Sequence, residues 1–220
     1  AGDINEEELV AKLKKALPFK DRIPEEIPTV VPQKHPQNDY VREQQEMKQG
    51  KLHIGFSTPV RFGDADFAKM QIFNGVFGGY PHAKLFMNVR EKESLAYYAS
   101  SSYASHYGLL FVVSGIEAKN EEKALNLIKE QLVAIQAGNI TDLELDQTKA
   151  MLTNQLKESL DSARGQIEIF DQYKDLPEEF SVEAWATKWQ AVTKEDVVDM
   201  AKQVKLEAVY FLSGKEQAAQ

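Results

Sequence analysis

Between Pro18 and Pro36 five prolines fall within nineteen residues, and this spacing limits what the chain can fold into more than any other feature. Each proline removes a backbone donor and biases its predecessor away from the helical region, so no helix or interior strand runs through. Residues 18–38 read as an extended connector. They separate a short segment, 1–17, from residues 39–220, which are numerous enough to bury the core of one large domain. The short segment reads as a helix over 5–16, with Asn5 as N-cap, acids in its first turn and lysines in its last. Ala1-Gly2-Asp3 ahead of that helix faintly echoes the Phe211–Glu216 stretch after the last expected strand. The expectation is therefore that 1–17 is the tail of a preceding homologous domain.

Beyond the connector the hydrophobic period changes several times. Leu52, Ile54 and Phe56 alternate with polar residues as in a half-buried strand, with Val41–Met47 as its partner or lead-in. Phe67, Met70, Phe73, Val76 and Phe77 recur at helical spacing up to Gly78-Gly79, and Leu85, Phe86 and Val89 suggest a second helix. Tyr97–Tyr103 and Leu109–Ile116 flank a polar turn and read as a hairpin. Asn120 is placed to cap a helix ended by Gly138, and Thr141 with Glu144 forms a capping box for a long helix to about 163. Helices over about 164–175, 181–191 and 194–204 and a strand at Ala208–Leu212 complete the reading. Strands and helices cluster rather than alternate strictly, which favours an α+β fold over a doubly wound parallel sheet.

Several chemistries are excluded by residue type. The chain has no cysteine, hence no disulfide, thiolate metal site or cysteine nucleophile, and this tilts the expected setting towards a reducing, cytoplasmic one. A net charge of −8 without a basic cluster argues against nucleic acid, and no apolar run reaches the ~20 residues of a membrane span. None of His35, His53, His82 and His106 belongs to an HxxEH or HExxH pair. Two imidazoles one turn apart, which a helical zinc site requires, are thus lacking, and no metal is expected in this chain. Ser100-Ser101-Ser102 has no nucleophile elbow, and Gly75, Gly78 and Gly79 form no phosphate loop, so strand hydroxyls and helix terminators are the readings there.

The richest stretch is Phe77-Gly78-Gly79-Tyr80-Pro81-His82-Ala83-Lys84-Leu85-Phe86-Met87-Asn88-Val89-Arg90-Glu91-Lys92-Glu93-Ser94-Leu95-Ala96-Tyr97-Tyr98. Glycines end one helix, Leu85-Phe86 turns inward, Arg90 lies near the end of the next helix, and an aromatic strand follows. Arg90 offers a planar fork of donors and Tyr97 a phenol, a pair suited to gripping main-chain carbonyls of an extended peptide. Read without further context, a structural arginine near a helix end and a half-buried strand tyrosine are the favoured reading of the pair.

This stretch resembles the carboxy-half signature of M16 (pitrilysin, inverted-zincin) peptidases: a glycine loop, Leu-Phe, then Arg-Glu-Lys-x-x-Leu-Ala-Tyr. A looser similarity runs from about residue 35 to the end, through Leu52–Phe56 and the last strand. The resemblance implies the LuxS/MPP-like sandwich, a mainly antiparallel sheet with helices on one side. It also implies a carboxy-terminal half, 39–220, that closes over peptide while an amino-terminal half, on the same chain or a partner subunit, holds zinc. Arg90 and Tyr97 match the residues that bind substrate and help stabilise its transition state; no catalytic residue or cofactor is carried by this chain. Ser94 stands where a glycine is usual, Tyr80 replaces a third glycine, and Tyr98 is bulky beside Tyr97. These departures are compatible with a non-catalytic branch, whose members serve as structural partners of an active peptidase. An isolated binding module is the remaining reading, favoured if Arg90 and Tyr97 pack inward.

Overall fold

The computed structural model describes residues 2–20, 23, 39–174, 176 and 180–214. Most of the proline-rich stretch, with His35, lies outside the described residues. The chain divides into two compact units, 1–33 with 155–180 and 34–154 with 181–220.

The first unit holds helix α1 (Glu6–Ala16), where the Asn5 side chain accepts from the Glu8 amide at 3.0 Å, as its position at the N-cap predicts. It also holds α5 (Ala163–Tyr173), opened by Ser162, whose hydroxyl accepts from the Gly165 amide. Tyr173 is buried, its ring 4.8 Å from that of Phe180.

The second unit is built on a five-stranded sheet: β1 (Asp39–Gln45), β2 (Gly50–Ser57), β3 (Ala96–Ala104), β4 (Leu109–Ile116) and β5 (Lys205–Gly214), in the order β1-β5-β2-β4-β3. All neighbours are antiparallel except β1 and β5. The alternation in β2 buries Leu52, Ile54 and Phe56, while Lys51 and His53 stay exposed. In register with them, Leu110, Val112, Val209 and Phe211 complete the inner face. This face carries the helices α2 (Phe67–Asn74), α3 (Glu121–Gln136) and α7 (Lys194–Gln203) with α6 (Val182–Ala191) and the start of α4 (Asp142–Leu160). The expected α+β sandwich, mainly antiparallel with helices on one side, is the observed architecture. Phe73 and Phe77, both fully buried, stack at 5.7 Å, and Phe56 meets Phe77 edge-on; each such ring contributes about 1.5–3 kcal/mol.

Two expectations need correction. The segment read as partner or lead-in of the Leu52–Phe56 strand forms β1, which precedes β2 in the chain but is not its partner: it pairs with β5, which is inserted between β1 and β2. Sequence proximity brings the two segments together, but strand order is set by which apolar faces close the core. Asn120 occupies the N-cap of α3 but makes no capping bond, because its backbone (φ −97°, ψ 3°) continues a 3-10 turn from Ala118 instead of being extended. The other end of α3 follows the sequence: Gly138 takes φ 83°, and the Gly138 and Asn139 amides donate to Ile135 and Ala134. The Thr141 amide donates to Glu144 and the Glu144 amide to the Thr141 hydroxyl, the reciprocal pair that starts α4.

Candidate functional site

The stretch from Phe77 to Tyr98 folds as two π-helical turns followed by a strand. Gly75–Gly79 continues α2 with wider winding, and Leu85–Lys92 forms a second π-helix against β3. Such segments are rare and recur at functional sites. The first lies so close to β3 that a Cβ on Gly78 would stand 2.7 Å from the Ser101 amide nitrogen and 2.6 Å from Leu85. The Ser101 hydroxyl donates to Asn74 Oδ1 at 2.8 Å, tying the same helix to the same strand. Ser101 is therefore a buried structural hydroxyl.

The loop between the two π-helices is anchored from beneath by α4. Lys84, buried, places its ammonium 2.8 Å from the Glu144 carboxylate. The Thr148 hydroxyl spends its proton on the Glu144 carbonyl at 2.8 Å, so it can only accept from His82, whose Nε2 lies 2.8 Å away. His82 thus carries its proton on Nε2 and stacks on Tyr80 at 5.5 Å. Burial holds the His82 imidazole below its ordinary value, against a smaller opposing pull from Glu144, and pushes the Tyr80 phenol up to about 12. Burial also acts to raise the Glu144 carboxyl, but bonds from Lys84 and Thr141 outweigh it and hold the group below its usual range. The anchor was not legible beforehand: the capping box identified Glu144, but no local signal joins it to Lys84, sixty residues earlier in the chain.

This platform presents Arg90 and Tyr97 at either side of one turn. Glu93 donates to Asn88 O and Leu95 to Val89 O at 3.0 Å, folding the strand back beside the helix. Ser94, between them, takes φ 51°, the left-handed region where a glycine costs nothing. Arg90 keeps 41% of its side chain exposed, with its guanidinium carbon 4.5 Å above the Phe86 ring and Nε 3.6 Å from Glu91. Stacking fixes the plane of the fork and leaves its edges for hydrogen bonds. Tyr97 is 63% exposed for a different reason. Ala96 faces Ile116 and Tyr98 faces Gly115, so Tyr97 is the extra residue of a β-bulge and leaves the inward-outward alternation. Tyr98 lies over Gly115, where any Cβ would overlap its ring. Both sequence-predicted residues face solvent.

His53 and His106 are exposed on the outer sheet face and the β3–β4 turn, and His82 is committed to Thr148. Among the described residues no three His, Cys, Asp or Glu side chains gather as metal ligands. Tetrahedral zinc needs three or four such donors converging, so the described residues do not fit zinc. Among the described residues no helix is long and apolar enough to cross a membrane.

The family profile described as "Peptidase M16 inactive domain" matches residues 1–152. The chain belongs to the peptidase M16 inactive-domain family. A relative named "Probable inactive metalloprotease YmfF", from Bacillus subtilis (strain 168), is 44% identical over 179 residues, 81% of this chain and 42% of the relative. The crystal structure of a conserved protein from Enterococcus faecalis V583 superposes with a TM-score of 0.85 at 41% identity, over 99% of this chain and 52% of that one. A peptidase M16 inactive domain from Pseudomonas fluorescens shares the fold, with a TM-score of 0.76 at 21% identity, over 100% of this chain and 53% of that chain. This M16 domain spans about half the length, or less, of the curated relatives it matches.

Proposed function

We propose that this M16 domain is a carboxy-terminal half that grips peptide and closes a chamber whose zinc sits in an amino-terminal half, on the same polypeptide or a partner subunit. The observation that carries the reading is the exposure of Arg90 and Tyr97 across one turn, with a bulge freeing the phenol from the sheet. Arg90 donates through its fork to main-chain carbonyls of an extended peptide, and Tyr97 donates a single O–H beside it. In a closed chamber the same donors oppose the negative charge that gathers on the scissile carbonyl oxygen. Zinc, water activation and the general base belong to the other half.

A second reading is favoured by one observation: the 44% identical relative is named a probable inactive metalloprotease. In that case the domain is the structural partner of an active subunit, and Arg90 and Tyr97 retain binding without turnover.

The direct test of gripping is anisotropy of a fluorescein-labelled, extended decapeptide titrated with the chain. Arg90→Ala is expected to weaken binding about tenfold and Tyr97→Phe somewhat less, as loss of one to two hydrogen bonds to peptide carbonyls implies. Equal affinity for wild type and both variants would remove these residues from the site.

A further inference from the structure

Resting on the peptide-gripping reading, we propose that a cavity at the Tyr97 end of the sheet is a carboxylate subsite for the bound peptide, with Lys119 as its principal donor. The cavity has a volume of about 610 Å³, within the size range of sites that enclose small ligands. Its walls include Arg42, Gln44, Lys119, Glu121, Phe211 and Ser213.

The register places it at the same end of the sheet as the gripping residues, across β4 and β2 from the β3 edge and within the span of an extended decapeptide. Ala96 faces Ile116, Ile116 faces Gly50, Lys51 faces Leu212, and Gln44 faces Ser213, so one transverse row crosses the sheet from Tyr97 to the cavity. Lys119 follows β4 directly and belongs to both places. It lines the cavity, and it stands three residues after Ile116, which the register sets opposite Ala96, the neighbour of Tyr97.

The lining carries two cations, Arg42 and Lys119, against one carboxylate, Glu121, in a chain of net charge −8. Glu121 is 5% exposed and receives Arg42 Nε at 2.9 Å, a second Arg42 nitrogen, and the Tyr40 hydroxyl. That carboxylate orients the guanidinium and consumes two of its five donors, leaving the rest of the fork. Lys119 is 77% exposed and pairs with Glu117 at the surface, a contact that a buried anion can outcompete because exposed pairs contribute little. Phe211 and Ala118 supply apolar wall, and Ser213 and Gln44 supply neutral polar groups. Lys119 with the remaining Arg42 donors suits a carboxylate, either an acidic side chain or the carboxy terminus of the peptide.

The test is anisotropy on this chain with one labelled decapeptide in three forms: a single Glu with a free carboxy terminus, the same Glu with an amidated terminus, and Gln with an amidated terminus. The form lacking both carboxylates is expected to bind about tenfold more weakly than the first. Lys119→Ala, an exposed change, is expected to remove that preference and leave binding of the carboxylate-free form unchanged. A loss at the amidation step assigns the terminus; a loss at the Glu→Gln step assigns a side chain. Equal binding of all three forms, or a preference that Lys119→Ala leaves intact, overturns the subsite while a loss with Arg90→Ala keeps the gripping reading standing. No binding of any form overturns both.

Discussion

Ser94 carries the clearest single-residue consequence. An L-residue in the left-handed region pays about 1–2 kcal/mol, of which a glycine's greater unfolded-state freedom returns part. Ser94→Gly is expected to stabilise the chain by about 0.5–1 kcal/mol, raising Tm by a few degrees. A thermal melt with unchanged or lower Tm would count against the strain. Gly78 gives the opposite sign: Gly78→Ala drives a methyl into Leu85 and the Ser101 amide and should cost about 1–3 kcal/mol in urea unfolding. At this scale the sequence was informative about identity and poor about conformation. Arg90 and Tyr97 were legible from their motif, and Ser94 was marked as a departure from it. The bulge that exposes Tyr97 was not, because the run Tyr97-Tyr98-Ala99 gives no local reason for an extra residue; only the pairing with Gly115 and Ile116 reveals it.

At the scale of elements, α4 is the support on which the π-helical stretch rests. Lys84→Met leaves Glu144, largely buried, without its ammonium partner, and a loss of about 2–3 kcal/mol is expected in chemical unfolding. Because the folded Glu144 carboxyl lies below its unfolded value of 4.5, its contribution is complete above pH 4.5 and disappears as pH falls through the lowered value. His82 acts in a higher window. As a base held below 6.5 it favours the fold while neutral, so its contribution is complete above pH 6.5 and is lost as acidification charges the ring. Urea midpoints measured from pH 7.5 to 5 should fall more for wild type than for His82→Gln; parallel curves would remove His82 from the anchor. Most elements were legible because their signals are local, such as the capping box at Thr141 and the β2 alternation. What stayed hidden was pairing between distant elements: β5 inserted beside β1, and α4 beneath the Tyr80–Lys84 loop.

For the whole molecule, the fold and the family follow from this chain, and the proposed peptide-gripping role reaches beyond it to a second half. Its exposed donors, Arg90 and Tyr97, are the groups that the proposed reading sets against an opposing half holding zinc. In that reading Arg90 and Tyr97 act on a peptide held between the two halves. The most direct measurement is zinc-dependent hydrolysis of a quenched fluorescent decapeptide by the polypeptide or complex containing both halves, with kcat/KM determined for wild type, Arg90→Ala and Tyr97→Phe. The expected result is cleavage that zinc removal abolishes and that Arg90→Ala lowers about 100-fold and Tyr97→Phe about tenfold, since each removes donors at the developing charge. Cleavage indifferent to both substitutions would contradict it, and a folded, zinc-loaded assembly that binds the peptide without cutting it would leave the structural-partner reading in its place.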